Sequence, residues 1–151
     1  RWRSVVVGYI QSDLLCYRAE QPPELVTRQE QQWGPVLAWA QKRLGAEFAT
    51  TNGIISVPQD PALLAGLEKV LEQKSIAEIF ILCSLTQITG SAVLALGVVE
   101  GEIAPEQGFT LSRLDETYQA EKWGEDSEAV EREAFLKASF DQDLHWLGLS
   151  R

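Results

Sequence analysis

Apolar positions three and four residues apart recur along most of the chain, which is the spacing of one helix face. Trp2, Val5, Val6, Tyr9 and Ile10 share such a face and predict a first helix over residues 2–10, despite the β-branched run. Ser12-Asp13 interrupts it. Leu14 to Tyr17 then reads as a short extended or loop segment, with Asp13 capping a turn. Pro22-Pro23 starts the next helix, because a proline at the first helical position gives up no hydrogen bond. Leu25, Gln29, Trp33, Val36, Leu37 and Ala40 form its stripe, and Trp33-Gly34-Pro35 predicts a kink. Gly45 closes it after Lys42-Arg43-Leu44, whose charges suit the negative end of a helix dipole.

Phe48 to Val57 alternates weakly around the turn-like Thr50-Thr51-Asn52-Gly53 and predicts an extended connector. Asp60-Pro61 supplies an N-cap and a first-turn proline for a helix carrying Leu63, Leu64, Leu67, Val70 and Leu71. Residues 79–99 are 21 positions without a formal charge, long enough to span a membrane. Ser84, Thr86, Gln87, Thr89 and Ser91 crowd the middle, however, and the flanks are acidic at Glu78, Glu100 and Glu102. A buried central helix is therefore expected, with Cys83, Gln87, Gly90, Leu94 and Gly97 as a slender stripe for close approach.

Pro105 opens a helix with Leu111, Leu114 and Tyr118 on one face, Phe109 and Trp123 beside it, and Gly124 at its end. Asp126-Ser127 leads into a last helix bearing Val130, Leu136, Phe140, Leu144 and Leu147. The predicted fold is all-α, a compact bundle of about six helices around a central apolar helix over residues 76–100, with a short extended connector near 48–57.

Composition narrows the function. The 151 residues carry 13 Lys and Arg against 22 Asp and Glu, a formal charge of -9 that repels nucleic acid and anionic lipid. Cys16 and Cys83 lie far apart in apolar surroundings, and a single His accompanies them. They read as two buried free thiols rather than a zinc site or a disulfide. The chain opens Arg1-Trp2-Arg3, contains no Met and shows no charged-then-apolar leader, so a piece of a longer protein is expected.

Candidate chemistry is sparse. His145 sits between Leu144 and Trp146 near the end of the chain, poorly placed as a general base. Gly97-x-x-x-Gly101 has no following Lys for a phosphate cradle. Asp115-Glu116 and Glu125-Asp126 read as solvated pairs, and a carboxylate hydrolase built on Asp115 and Glu116 is the weaker alternative. Trp33 and Trp39 read as core; Trp123 fits core or contact. No enzyme activity, cofactor, metal or small-molecule substrate is indicated. A generic helical scaffold fits the composition equally well.

Within Leu114 to Gly124, helical spacing sets Asp115, Gln119 and Lys122 on one stripe and Glu116 near Trp123. Tyr118-Gln119 with Lys122-Trp123-Gly124 resembles the signature of the ATP12 chaperone family, the assembly chaperones that bind the alpha subunit of the F-type ATP synthase. Further matches fall in order: Asp13 with Cys16-Tyr17-Arg18, Pro23 with Leu25, Trp33 with Pro35 and Trp39-Ala40, and Gly45. The resemblance implies that residues 1–151 are the family's helical C-terminal domain, without the β-rich domain that precedes it. It implies a holdase that covers the unassembled alpha subunit until the beta subunit replaces it, in the mitochondrial matrix or the cytoplasm of a bacterium related to its ancestor. Glu116, Tyr118, Gln119, Lys122 and Trp123 are the expected partner-binding residues, with no nucleic acid bound and no insertion into a membrane.

Overall fold

The computed structural model describes residues 1–53 and 56–150; Ile54 and Ile55, part of the predicted connector, lie outside the described residues. Eight α-helices follow one another among the described residues. They are α1 (Trp2–Ile10), α2 (Pro23–Leu44), α3 (Pro61–Glu72), α4 (Ile76–Thr89), α5 (Ala92–Val99), α6 (Pro105–Ser112), α7 (Leu114–Trp123) and α8 (Ser127–Ser150). The fold is all-α, as the periodicity predicts. In the segment expected to be extended or loop, Leu14–Cys16 is a 3-10 turn and Tyr17 is extended. Two short strands, β1 (Tyr17–Arg18) and β2 (Thr51–Asn52), pair in parallel with Tyr17 opposite Thr51.

Local sequence accounts for most helix boundaries. Pro23 starts α2, Glu24 lies in its first turn, and Gly45 ends it in the left-handed region at φ 80°. The helix is not interrupted at Trp33-Gly34-Pro35, and Pro35 lies on its solvent side. Its predicted stripe is buried, with Trp33 fully enclosed and its Nε1–H donating to the Leu111 carbonyl at 2.9 Å. Asp60 caps α3 by accepting from the Ala62 N–H. Ser75 and Glu78 form a reciprocal capping box at the start of α4. Where α3 crosses the end of α2, a Cβ on Gly66 would stand 1.9 Å from the Leu44 carbonyl oxygen, so only glycine permits that approach.

The segment predicted as one central helix over 76–100 is two helices, α4 and α5, packed on each other. Gly90 takes φ 75°, which ends α4, and Ser91 restarts the chain by accepting from the Leu94 N–H at 3.0 Å. The slender stripe expected from Cys83 to Gly97 is therefore divided between two elements, and Gln87 on it is exposed. All 8 residues of α5 are buried. α1, α2, α4 and α6 surround it.

The break is held from outside by Asp13, which is fully buried. Its Oδ1 accepts from the Leu15 N–H at 3.1 Å and the Ser91 hydroxyl at 2.7 Å, and its Oδ2 accepts from the Val93 N–H at 3.0 Å. One carboxylate thus caps the 3-10 turn and, with Ser91, the first turn of α5. The Leu14 N–H donates to the Gly90 carbonyl at 3.1 Å and completes the junction. Sequence spacing placed Asp13 at its local turn; the partner 80 residues away could not be read from it.

The Pro105-to-Gly124 helix is also divided, at Arg113, where φ −104° and ψ 15° leave the helical region. Both predicted cysteines are buried free thiols. Burial, followed by the charge of Asp13, pushes the Cys16 thiol up to about 12, so it remains protonated at neutral pH. No helix of the described residues is long and apolar enough to cross a membrane.

Burial raises the Asp13 carboxyl from 3.8 to about 6, outweighing the hydrogen bonds that favour its charge. The folded chain then holds this proton more tightly than the unfolded chain. The associated stability is complete below the unfolded value and is lost as pH rises through about 6. Urea unfolding of the native chain and Asp13→Asn between pH 4 and 7 should therefore show the native chain losing stability relative to the variant as pH rises. The relative loss should approach 2–3 kcal/mol, about 1.4 kcal/mol per pKa unit. Parallel profiles would show that this carboxyl is not the titrating group.

Candidate functional site

The residues that carry the signature lie on α7, and packing divides them between two faces. One face meets α2 through a ladder of polar contacts. Gln29, itself buried, accepts from the Ala19 N–H at 2.8 Å and donates to Asp115 at 2.8 Å. One helical turn along α2, Glu24 accepts from the Tyr118 hydroxyl and from Lys122 Nζ, both at 2.6 Å. Arg28 makes a two-pronged pair with Glu121 at 2.9 and 3.0 Å and lies 5.2 Å from the centre of the Tyr118 ring. The hydrogen bonds from Lys122 and Tyr118 hold the Glu24 carboxyl below its ordinary value. These ion pairs are solvated and each contributes little alone; the buried Tyr118 ring and the Gln29–Asp115 bond fix the contact.

The opposite face of α7 looks into an open groove of about 490 Å³, closed on its far side by the first turns of α8. Glu116, Gln119, Ala120 and Trp123 line one wall, and Ala129, Val130 and Glu133 the other. The five predicted residues are thus not one patch. Glu116, Gln119 and Trp123 share the groove, while Tyr118 and Lys122 face α2. Gln119 was expected on the Lys122 stripe, yet it lies with Glu116 and Trp123.

Of the two aromatic residues expected beside the Leu111, Leu114 and Tyr118 face, Phe109 is buried and Trp123 is 83% exposed. Val130 and Phe135, both on α8, are 47% and 69% exposed, because the helix enters the bundle only from Leu136 onward. Periodicity alone assigned Val130 to the buried face. It could not show that α8 begins beyond the body of the domain. Phe135 is exposed for the same reason, a large apolar residue directly after the run Glu131-Arg132-Glu133-Ala134.

Arg113, at the junction of α6 and α7, spans the groove's end. It pairs with Glu116 at 3.6 Å and Glu133 at 3.3 Å. Asp115, Glu116, Glu125, Asp126 and Glu133 line the cleft against this single cation, so it is strongly acidic. No group of three or more metal-binding side chains converges among the described residues, and Asp115 and Glu116 point to different partners, Gln29 and Arg113. His145 is exposed and lies on the same helix as Asp141 and Asp143, away from α7.

The features define an all-helical domain with an open acidic groove between α7 and α8. A family model described as ATP12 chaperone protein matches residues 2–41. The chain superposes on Atp12 from Paracoccus denitrificans with a TM-score of 0.93 at 35% identity, covering 99% of this chain and 64% of that one. A substitution variant of the same Paracoccus protein gives 0.94 at 35% identity with the same coverage. A protein from Agrobacterium tumefaciens, proposed to be a chaperone, gives 0.92 at 37% identity over 99% of this chain and 56% of that one. The chain is similar in sequence and fold to the ATP12 chaperone family. It spans less than two thirds of the length of these relatives.

The two faces of α7 should respond differently to truncation. Tyr118→Ala opens the α2 contact and should cost about 3 kcal/mol in urea unfolding, as for other large buried side chains. Trp123→Ala should change stability by no more than about 0.5 kcal/mol. Equal losses would mean that α7 is rotated relative to its observed packing.

Proposed function

We propose that this chain is the helical C-terminal domain of a chaperone for assembly of the F-type ATP synthase head, and that it binds the unassembled alpha subunit. The carrying observation is the superposition on Atp12 along nearly the whole chain at 35% identity. The family's assembly role comes to this domain through that likeness, and the open α7–α8 groove supports it. A folded surface that leaves Trp123 and Val130 in solvent on the two walls of one groove is the kind that a protein partner covers.

The mechanism needs no nucleotide. Binding a lone subunit lowers the concentration of its aggregating form by mass action, and the native partner displaces the chaperone when its larger interface competes. Glu116, Gln119 and Trp123 are the contact residues in this reading. Tyr118 and Lys122 act at one remove, by holding α7 on α2 through Glu24. The β-rich domain implied by the family resemblance would precede this one, and the proposed location is the mitochondrial matrix or the cytoplasm of a related bacterium.

Co-purification with separately expressed alpha and beta subunits, using this chain and the full-length protein, tests the proposal. The alpha subunit should be retained and the beta subunit should not. Glu116→Lys should lower retention by at least tenfold, about 1.4 kcal/mol, with an unchanged Tm. Passage of the alpha subunit past folded full-length protein would overturn the proposal.

A further inference from the structure

The α7–α8 groove combines three features that together restrict its occupant. It is an open cleft between two helices rather than an enclosed cavity. Its apolar surface is concentrated at Trp123, Val130, Ala120 and Ala129, enough to seat one or two side chains. Its rim carries five carboxylates, and its one guanidinium, Arg113, is shared between Glu116 and Glu133 at distances too long for a strong pair.

Those features exclude several occupants. Nucleic acid and a second copy of this chain, itself of formal charge -9, would bring negative charge to negative charge. A bound metal ion needs converging ligands, and among the described residues no such group forms. A wholly apolar helix would seat against Trp123 but would leave the rim carboxylates beside low-dielectric surface with no counter-charge.

We infer that the groove receives a cationic amphipathic segment of a partner protein, with Lys or Arg side chains on Glu116, Glu125 and Glu133 and an apolar side chain seated against Trp123 and Val130. This rests on the chaperone reading only for the identity of the partner; the chemistry of the segment follows from the groove. An incoming cation takes Glu116 or Glu133 from Arg113 and so replaces a loose pair by a closer one. The indole then supplies apolar area, and its face a second contact for the cation.

A fluorescein-labelled amphipathic peptide with a leucine face and a lysine face, and its twin with glutamate for lysine, test the inference by fluorescence anisotropy with the intact chain. The lysine peptide should saturate and the glutamate twin should not. Trp123→Ala, and Glu125→Lys with Glu133→Lys, should each weaken binding about tenfold or more. Glu68→Lys with Glu72→Lys, on the distant α3, should change it by less than about twofold, and raising salt several-fold should weaken it. Absence of saturable lysine-peptide binding, equal binding of the twin, or equal losses from the α3 reversals would overturn the inference. Competition separates it from the chaperone reading. If the peptide binds by these criteria and the alpha subunit neither binds nor displaces it, the inference stands and the alpha-subunit assignment falls. If the alpha subunit binds and the groove variants bind it equally well, the reverse holds.

Discussion

The central junction of this fold depends on a single buried carboxylate. A 21-residue stretch without charge would continue as one long helix with nowhere to bury its whole circumference in a domain of this size. Folding it back as α4 and α5 solves the packing problem but creates a helix start inside the core. There the free N–H groups of α5 cannot reach water. Ser91 satisfies one, and Asp13 reaches across from the first loop to satisfy another while accepting from the Ser91 hydroxyl. Burial of the charge is costly, and three hydrogen bonds offset part of that cost. The same contact anchors the end of α1 to the centre, so the first loop and the core helices form as one unit.

A second layer of charge organises the periphery without entering the core. Glu100, at the C-terminal end of α5, takes Arg43 from α2 at 2.7 Å and Lys74, just beyond α3, at 2.8 Å. Burial opposes ionisation of Glu100, yet the two cations outweigh it and hold its carboxyl below the ordinary value. Its contribution is therefore present at neutral pH and is lost as pH falls through the lowered value, opposite in sign to Asp13. α5 is thus clamped at both ends by ionic groups from elements distant in sequence, which suits a helix too short to persist alone.

The sequence made the helices legible and the junctions obscure. Caps and prolines mark α2, α3, α4 and the start of α6 because those signals act within a few residues. The α4–α5 break carried a signal of the same kind, Thr89-Gly90-Ser91, but continuous apolarity masked it. Its decisive partner, Asp13, was visible only as a local cap. The arrangement of the candidate residues is hidden from the sequence in the same way. Tyr118, Gln119, Lys122 and Trp123 are adjacent in sequence, and which of them face α2 depends on Glu24, Arg28 and Gln29, more than 80 residues earlier. The acidic groove needs α8 as a second wall, and no feature of α7 alone announces it.

The groove lies where the domain is least integrated: residues 121–135 are all exposed, and α8 is tied there mainly through Arg113–Glu133 and, one turn further on, Lys137–Glu106 at 2.7 Å. Few buried contacts over residues 121–135 mean a low cost for local opening of that segment. Arg113 is the coupling element. It links Glu116 at 3.6 Å and Glu133 at 3.3 Å only loosely, so in the proposed docking a competing cation on either carboxylate would release that bridge. In the proposed docking the same three side chains would set both the chemistry of the groove and the link between its walls, while the Asp13 junction is built from other elements.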